Sequence, residues 1–180
     1  KMMYADSDFE VGGGLDYRAV RLPYGNGQFS MTLLIPMGSA SIDQVLKGIT
    51  GDEWAQLNSV RMTKRGITVG LPKFTLEYSA QLKKTLQALG IERMFETSAQ
   101  LGKINKVEKL MVDFVKQDAY LGVDEQGTEA AAVTTVAVGT TSAGPEASRY
   151  ICDRPFGLII SENTSNTILF MGRIKNPESK

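Results

Sequence analysis

Glu125-Gln126-Gly127-Thr128-Glu129-Ala130-Ala131-Ala132-Val133-Thr134 is the stretch on which the reading of this chain turns. From Ala130 to Pro145 no residue is charged, and up to that proline the run consists of Ala, Val, Thr, Gly and Ser. Such a composition has strand propensity but no large side chain to anchor it in a core. The run is long for a structureless loop in a compact domain, and loops of that length are usually functional or disordered. A segment so prone to β-aggregation needs a use to explain its presence.

The rest of the composition narrows that use. The chain has 180 residues, of which 42% are hydrophobic and 22% charged, as in an ordinary folded protein. Its formal net charge is zero, which removes the simplest electrostatic case for a nucleic-acid or membrane-surface partner. No stretch approaches the ~18 apolar residues of a membrane span. There is no histidine. Ser-His-Asp and Cys-His nucleophilic sites are thereby excluded, and zinc is disfavoured. No metal, no cofactor and no catalytic residue is expected. The single cysteine, Cys152, cannot form an internal disulfide and reads as a small core residue.

In chain order, residues 1–11 read as a strand, followed by a turn at Gly12-Gly13-Gly14 that lacks phosphate-loop spacing. Tyr17–Tyr24 and Phe29–Ile35 read as strands joined by a hairpin at Gly25-Asn26-Gly27. Ser41 caps a short helix, and Thr50 caps another with Glu53 completing a capping box. Trp54 and Leu57 anchor the second helix. The basic run Arg61–Arg65 reads as a solvated edge. Gly66–Leu71 and Thr75–Tyr78 are extended. Leu82, Leu86 and Leu89 recur at helical spacing, closed by Gly90, with Ile91 and Phe95 packing behind. Lys109–Val123 reads as one long strand whose alternation slips near Phe114-Val115. Arg149–Asp153, Pro155–Ser161 and Thr167–Ile174 are strands, the last two a hairpin. Many strands and few short helices without βαβ alternation predict an α+β fold with mostly antiparallel sheets. Asp6, Asp8 and Glu10 suit a solvated strand face better than a cation site.

Taken together, these residues resemble a known family. Val123–Ala132 resembles the hinge of the reactive-centre loop of the serpins, serine-protease inhibitors that act by irreversible conformational change. Leu22-Pro23-Tyr24, Ser30-Met31 through Pro36, Leu71-Pro72-Lys73-Phe74, Leu89-Gly90-Ile91 with Phe95, Arg154-Pro155-Phe156 and Ile168–Ile174 with Pro177 follow in the family's order. The set covers the whole chain but matches only the C-terminal half of a serpin. Residues 1–180 are therefore expected to be the C-terminal part of a single serpin domain, a fragment opening abruptly at Lys1-Met2-Met3. Residues 125–148 would be its hinge and reactive-centre loop.

The resemblance implies a suicide-substrate mechanism. A protease cleaves the loop, and the freed segment inserts into the large sheet. The hinge would comprise Glu125, Gly127, Thr128, Glu129, Ala130, Ala131, Ala132, Val133 and Thr134. Insertion buries alternate residues, and Thr128, Ala130, Ala132, Thr134, Val136 and Val138 are all small or apolar, with Glu129 on the opposite face. No proline lies between Glu125 and Gly144, so every N–H can join a ladder. The family's usual spacing places the reactive bond at Thr141-Ser142. A small residue there implies a serine protease of elastase-like or subtilisin-like type, with cysteine endopeptidases a further target class. Lys73 is implied to pair with Glu125, and Gln117 to stand where many serpins carry a shutter histidine. The resemblance further implies an extracellular or cell-surface setting, and self-association by loop–sheet insertion. The alternative is a non-inhibitory serpin-fold binding or chaperone module. The fragment alone is not expected to inhibit.

Overall fold

A computed structural model describes residues 1–60, 62–125 and 148–177. Its elements are β1 (Met2–Gly13), β2 (Tyr17–Tyr24), β3 (Phe29–Pro36), α1 (Ile42–Gly48), α2 (Gly51–Ser59), β4 (Met62–Pro72), β5 (Phe74–Gln81), α3 (Lys83–Ala88), β6 (Lys116–Val123), β7 (Arg149–Ile151), β8 (Phe156–Glu162) and β9 (Ile168–Ile174). A single 3-10 turn covers Arg93–Phe95. The α+β reading holds. The chain divides into two compact units, residues 1–75 with 122–180, and residues 76–121.

The first unit is built on a seven-stranded sheet in the order β7-β4-β1-β2-β3-β8-β9. All its described pairings are antiparallel except β4 with β7. β3 is buried along Ser30–Pro36, as its near-continuous apolar run requires of a central strand. One face carries the helices. Tyr17, Ala19, Leu34, Ile42, Val45, Trp54, Leu57 and Ile159 form a buried cluster there. α1 approaches β8 closely enough that a Cβ on Gly157 would lie 3.0 Å from Ile42 Cδ1, so a larger residue there would push that side chain back by a few tenths of an ångström. Trp54 also donates from Nε1 to the Asn166 carbonyl at 2.7 Å, tying α2 to the β8–β9 turn. Elsewhere in the unit, Phe74 packs edge-to-face on Phe156 with centroids 6.2 Å apart.

Both predicted caps form. Ser41 Oγ accepts from the Gln44 amide, and Gln44 Oε1 accepts from the Ser41 amide, which makes a capping box. Thr50 Oγ1 accepts from the Glu53 amide. The expected return half of that second box is replaced. Glu53 Oε1 instead accepts from the Tyr17 hydroxyl at 2.6 Å, a long-range bond. β1 also runs past the expected turn, carrying Gly12 and Gly13 into the sheet opposite Ala19 and Arg18.

The second unit carries most of the two-stranded sheet β5-β6, with α3 and the 3-10 turn. Two expectations fail here. The strand expected over Lys109–Val123 begins only at Lys116. The preceding backbone is otherwise engaged: Val112 N–H bonds Met94 O, Asp113 O accepts from Lys83 Nζ, and Val115 O accepts from Leu82 N–H. The stripe Leu82-Leu86-Leu89 is not a core stripe. α3 buries no residue, Leu89 is 73% exposed and Ile91 44%, whereas Phe95 is buried as expected. Gly90 does close the helix, with φ +86°.

Candidate functional site

The described residues contain no catalytic constellation. Among them no group of three His, Cys, Asp or Glu side chains could hold a metal ion. Asp8 Oδ1 accepts from the Gly66 amide, and so serves the β1–β4 pairing. The Gly14 amide is bonded to Tyr17 O, so it is not presented to a phosphate. Cys152 is buried, and burial pushes its thiol up to about 12, which makes it unreactive near neutral pH.

The distinctive site lies at the point where Glu125 leaves β6. Register builds it. Met2 pairs with Pro72 and Met3 with Leu71, so Lys1 and Lys73 come side by side at the end of the β1–β4 ladder. The Lys73 amide bonds the Lys1 carbonyl at 2.8 Å. Phe74, buried against Phe156, fixes the backbone just after Lys73. Val123, also buried, fixes the chain just before Asp124-Glu125.

Two ammonium groups thus converge on one carboxylate. Lys73 Nζ lies 2.9 Å from Glu125 Oε2, and Lys1 Nζ lies 2.9 Å from Glu125 Oε1. Asp124 Oδ2 stands 4.0 Å from the Lys73 ammonium. The hydrogen bond from Lys73, followed by that from Lys1, lowers the Glu125 carboxyl to about 2. Glu125 in turn raises Lys73. All three side chains remain substantially open to water, at 74%, 40% and 45% for Lys1, Lys73 and Glu125. The cluster therefore sets geometry more than stability.

The far end of the following stretch returns to the same strand. The Thr68 amide bonds Ser148 O, and β7 pairs parallel to β4 through Thr68–Arg149 and Gly70–Ile151. The described chain accordingly stops at Glu125 beside Lys73, just past the end of β4, and resumes at Ser148 alongside β4. Lys73 and Glu125 are brought together. Gln117 lies on β6 with an exposed side chain. The hinge positions Gly127, Thr128, Glu129, Ala130, Ala131, Ala132, Val133 and Thr134, and the bond Thr141-Ser142, lie outside the described residues. Sequence reasoning missed Lys1. Its contact depends on the β1–β4 register, which no local motif announces.

Comparison with known proteins places this geometry. The family model described as "Serpin (serine protease inhibitor)" matches residues 1–177. The chain belongs to the serpin family. Iripin-2 of Ixodes ricinus is 37% identical over 160 residues, covering 89% of this chain and 40% of that protein. Leukocyte elastase inhibitor of Sus scrofa is 33% identical over 186 residues, covering 98% of this chain and 48% of the relative. The crystal structure of mouse protein-Z dependent protease inhibitor superposes with a TM-score of 0.80 at 28% identity, over 98% of this chain and 45% of that one. This serpin chain spans less than half the length of these relatives. Serpins are mostly inhibitors rather than catalysts.

Proposed function

We propose that the complete protein carrying this chain is a suicide-substrate inhibitor of serine endopeptidases of elastase-like or subtilisin-like specificity, with cysteine endopeptidases a further class. The observation that carries the reading is the uncharged run from Ala130 to Pro145, with small or apolar residues at every second position from Thr128 to Val138, in a segment that follows a carboxylate held by two lysines. In the reaction, the protease nucleophile attacks the Thr141 carbonyl carbon. The bond to Ser142 breaks, Ser142 leaves as a free amine, and Thr141 stays esterified to the enzyme. Residues from Gly127 onward then enter the sheet beside β6. This is β-strand addition, of which serpin loop insertion is a recognised instance.

Several features support this. The even-numbered face from Thr128 to Val138 carries no charge to desolvate. The absence of Arg and Lys between Ala130 and Glu146 argues against a trypsin-like target. An extracellular or cell-surface setting suits such targets. Lys73 with Glu125 acts as the hinge anchor, and Gln117 donates and accepts near the strand that must part. The chain by itself would be cleaved without trapping the protease, and its strand edges would favour loop–sheet self-association.

The test is incubation of the complete protein with pancreatic-type elastase and with subtilisin, followed by denaturing electrophoresis. A complex that survives denaturant is expected. Its absence across a broad protease panel refutes the inhibitory reading in favour of a non-inhibitory binding or chaperone module.

A further inference from the structure

Between α2 and the sheet lies a small cavity lined by Glu10, Val11, Gly12, Ala19, Arg21, Thr32 and Leu57. Three of these residues form a single cross-strand row. Glu10 on β1 pairs with Arg21 on β2, and Arg21 pairs with Thr32 on β3, so their side chains share one face. Leu57 of α2 roofs the row, and it sits so low that a Cβ on Gly12 would come within 2.9 Å of its Cδ1.

Two buried polar atoms border this cavity without a hydrogen-bond partner. Arg21 is 6% exposed and Thr32 3%, and both Arg21 Nε and Thr32 Oγ1 are unsatisfied. The guanidinium is otherwise well placed. Its Nη1 donates to Asn163 Oδ1 at 3.0 Å and its Nη2 donates to Asn58 Oδ1. Only Nε, which faces Glu10 Oε2 at 3.9 Å, is left over, and that separation is too long for a direct bond. Buried N–H and O–H groups are seldom left in this state.

We propose that this cavity is a binding site for one internal water molecule that satisfies both atoms. The water accepts from Arg21 Nε–H and from Thr32 Oγ1–H and donates to the Glu10 carboxylate. Three hydrogen bonds are typical of a buried water. The room is right: about 10 Å³ is open to the centre of a water-sized sphere, at the lower edge of the about 10–15 Å³ that one water needs on this measure. The carboxylate of Glu10 disfavours an anion, and the guanidinium of Arg21 disfavours a cation, so a neutral donor–acceptor is selected. The bridge carries the Arg21 charge to Glu10. It thereby joins β1, β2 and β3 under α2, beside the Arg21 bonds that reach α2 and the β8–β9 turn.

A high-resolution crystal structure of the protein tests the site, together with Thr32→Ser and Thr32→Val. The expected result is a single peak about 2.7–3.2 Å from Arg21 Nε, Thr32 Oγ1 and Glu10 Oε2, kept in Thr32→Ser and lost in Thr32→Val. In solution, the Arg21 Nε proton should show a magnetisation-transfer cross-peak to water, and this measurement does not depend on any variant folding. An empty cavity, Arg21 Nε turned directly onto Glu10, or a peak with the anomalous signal of chloride would each overturn the proposal. A peak that keeps its place and occupancy in Thr32→Val would overturn the role given to Thr32.

Discussion

Replacing Arg21 by leucine should expose how α2 is held to the sheet. The guanidinium is buried and donates to two side-chain amide oxygens, on Asn58 of α2 and on Asn163 of the β8–β9 turn. Asn163 extends the link, donating from Nδ2 to Gly27 O at 2.6 Å and to Ser30 Oγ at 2.7 Å. Bonds from a charged donor contribute about 1.5–3 kcal/mol each. Relief of guanidinium desolvation offsets part of the sum, leaving a net loss of about 2–4 kcal/mol. With a urea slope of about 1–3 kcal/mol per molar, the midpoint should fall by about 1–2 M. The ion pair to Glu10 is a weaker tie, since its atoms are 3.9 Å apart and Glu10 is 44% exposed. Glu10→Gln should therefore cost less than about 1 kcal/mol. The assay is urea unfolding followed by fluorescence of Trp54, the single tryptophan, which is buried against α2's own cluster. A loss below about 1 kcal/mol for Arg21→Leu, on the same scale, or a larger loss for Glu10→Gln, would refute the assignment of the anchor to the two amides.

Other outcomes follow from the same contacts. Phe156→Ala removes a fully buried ring packed edge-to-face with Phe74 and should cost about 3–5 kcal/mol in the same unfolding assay. By carboxyl NMR, Glu125 should titrate near 2, below its ordinary 4.5, and move upward in Lys73→Ala and to a smaller extent in Lys1→Ala. Because the folded value is depressed, the cluster's contribution is complete above pH 4.5 and is lost as pH falls towards 2. In the complete protein, Ala132→Glu would place a charge on the face that insertion buries. On the proposed function it should leave the protein a substrate only, read as cleaved loop without stable complex, whereas Glu129→Gln on the other face should leave complex formation intact. The Cys152 thiol should resist a thiol reagent in native buffer and react on unfolding.

Most of the strands and two of their hairpins were legible because the strands keep their period and their turns carry glycine or asparagine, whereas the order β7-β4-β1 rests on non-local pairing. Gly25-Asn26-Gly27 gave the β2–β3 hairpin, and Asn163–Asn166 gave the β8–β9 hairpin, where Asn166 takes φ +55°. The caps were legible because they are local. What failed was non-local. Glu53 looked like half of a capping box, but the Tyr17 hydroxyl, brought over by packing, takes its carboxylate and is itself pushed upward, chiefly by burial. The Leu82-Leu86-Leu89 stripe has helical spacing, yet α3 buries no residue, so periodicity alone could not say whether a partner covers it. The long strand before Val123 was cut short by side-chain and backbone bonds that alternation cannot reveal. At the site, the Lys73–Glu125 contact followed from a family pattern, whereas Lys1 needed the β1–β4 register.

The proposed function requires residues after Glu125 to enter the sheet once the loop is cut, and thermal unfolding before and after loop cleavage tests it most directly. The complete protein would be nicked once between residues 126 and 147, the cut verified by mass, and its melting temperature compared with that of the intact form. Insertion of a new central strand predicts a large rise in melting temperature on cleavage. An unchanged or lower melting temperature would contradict it.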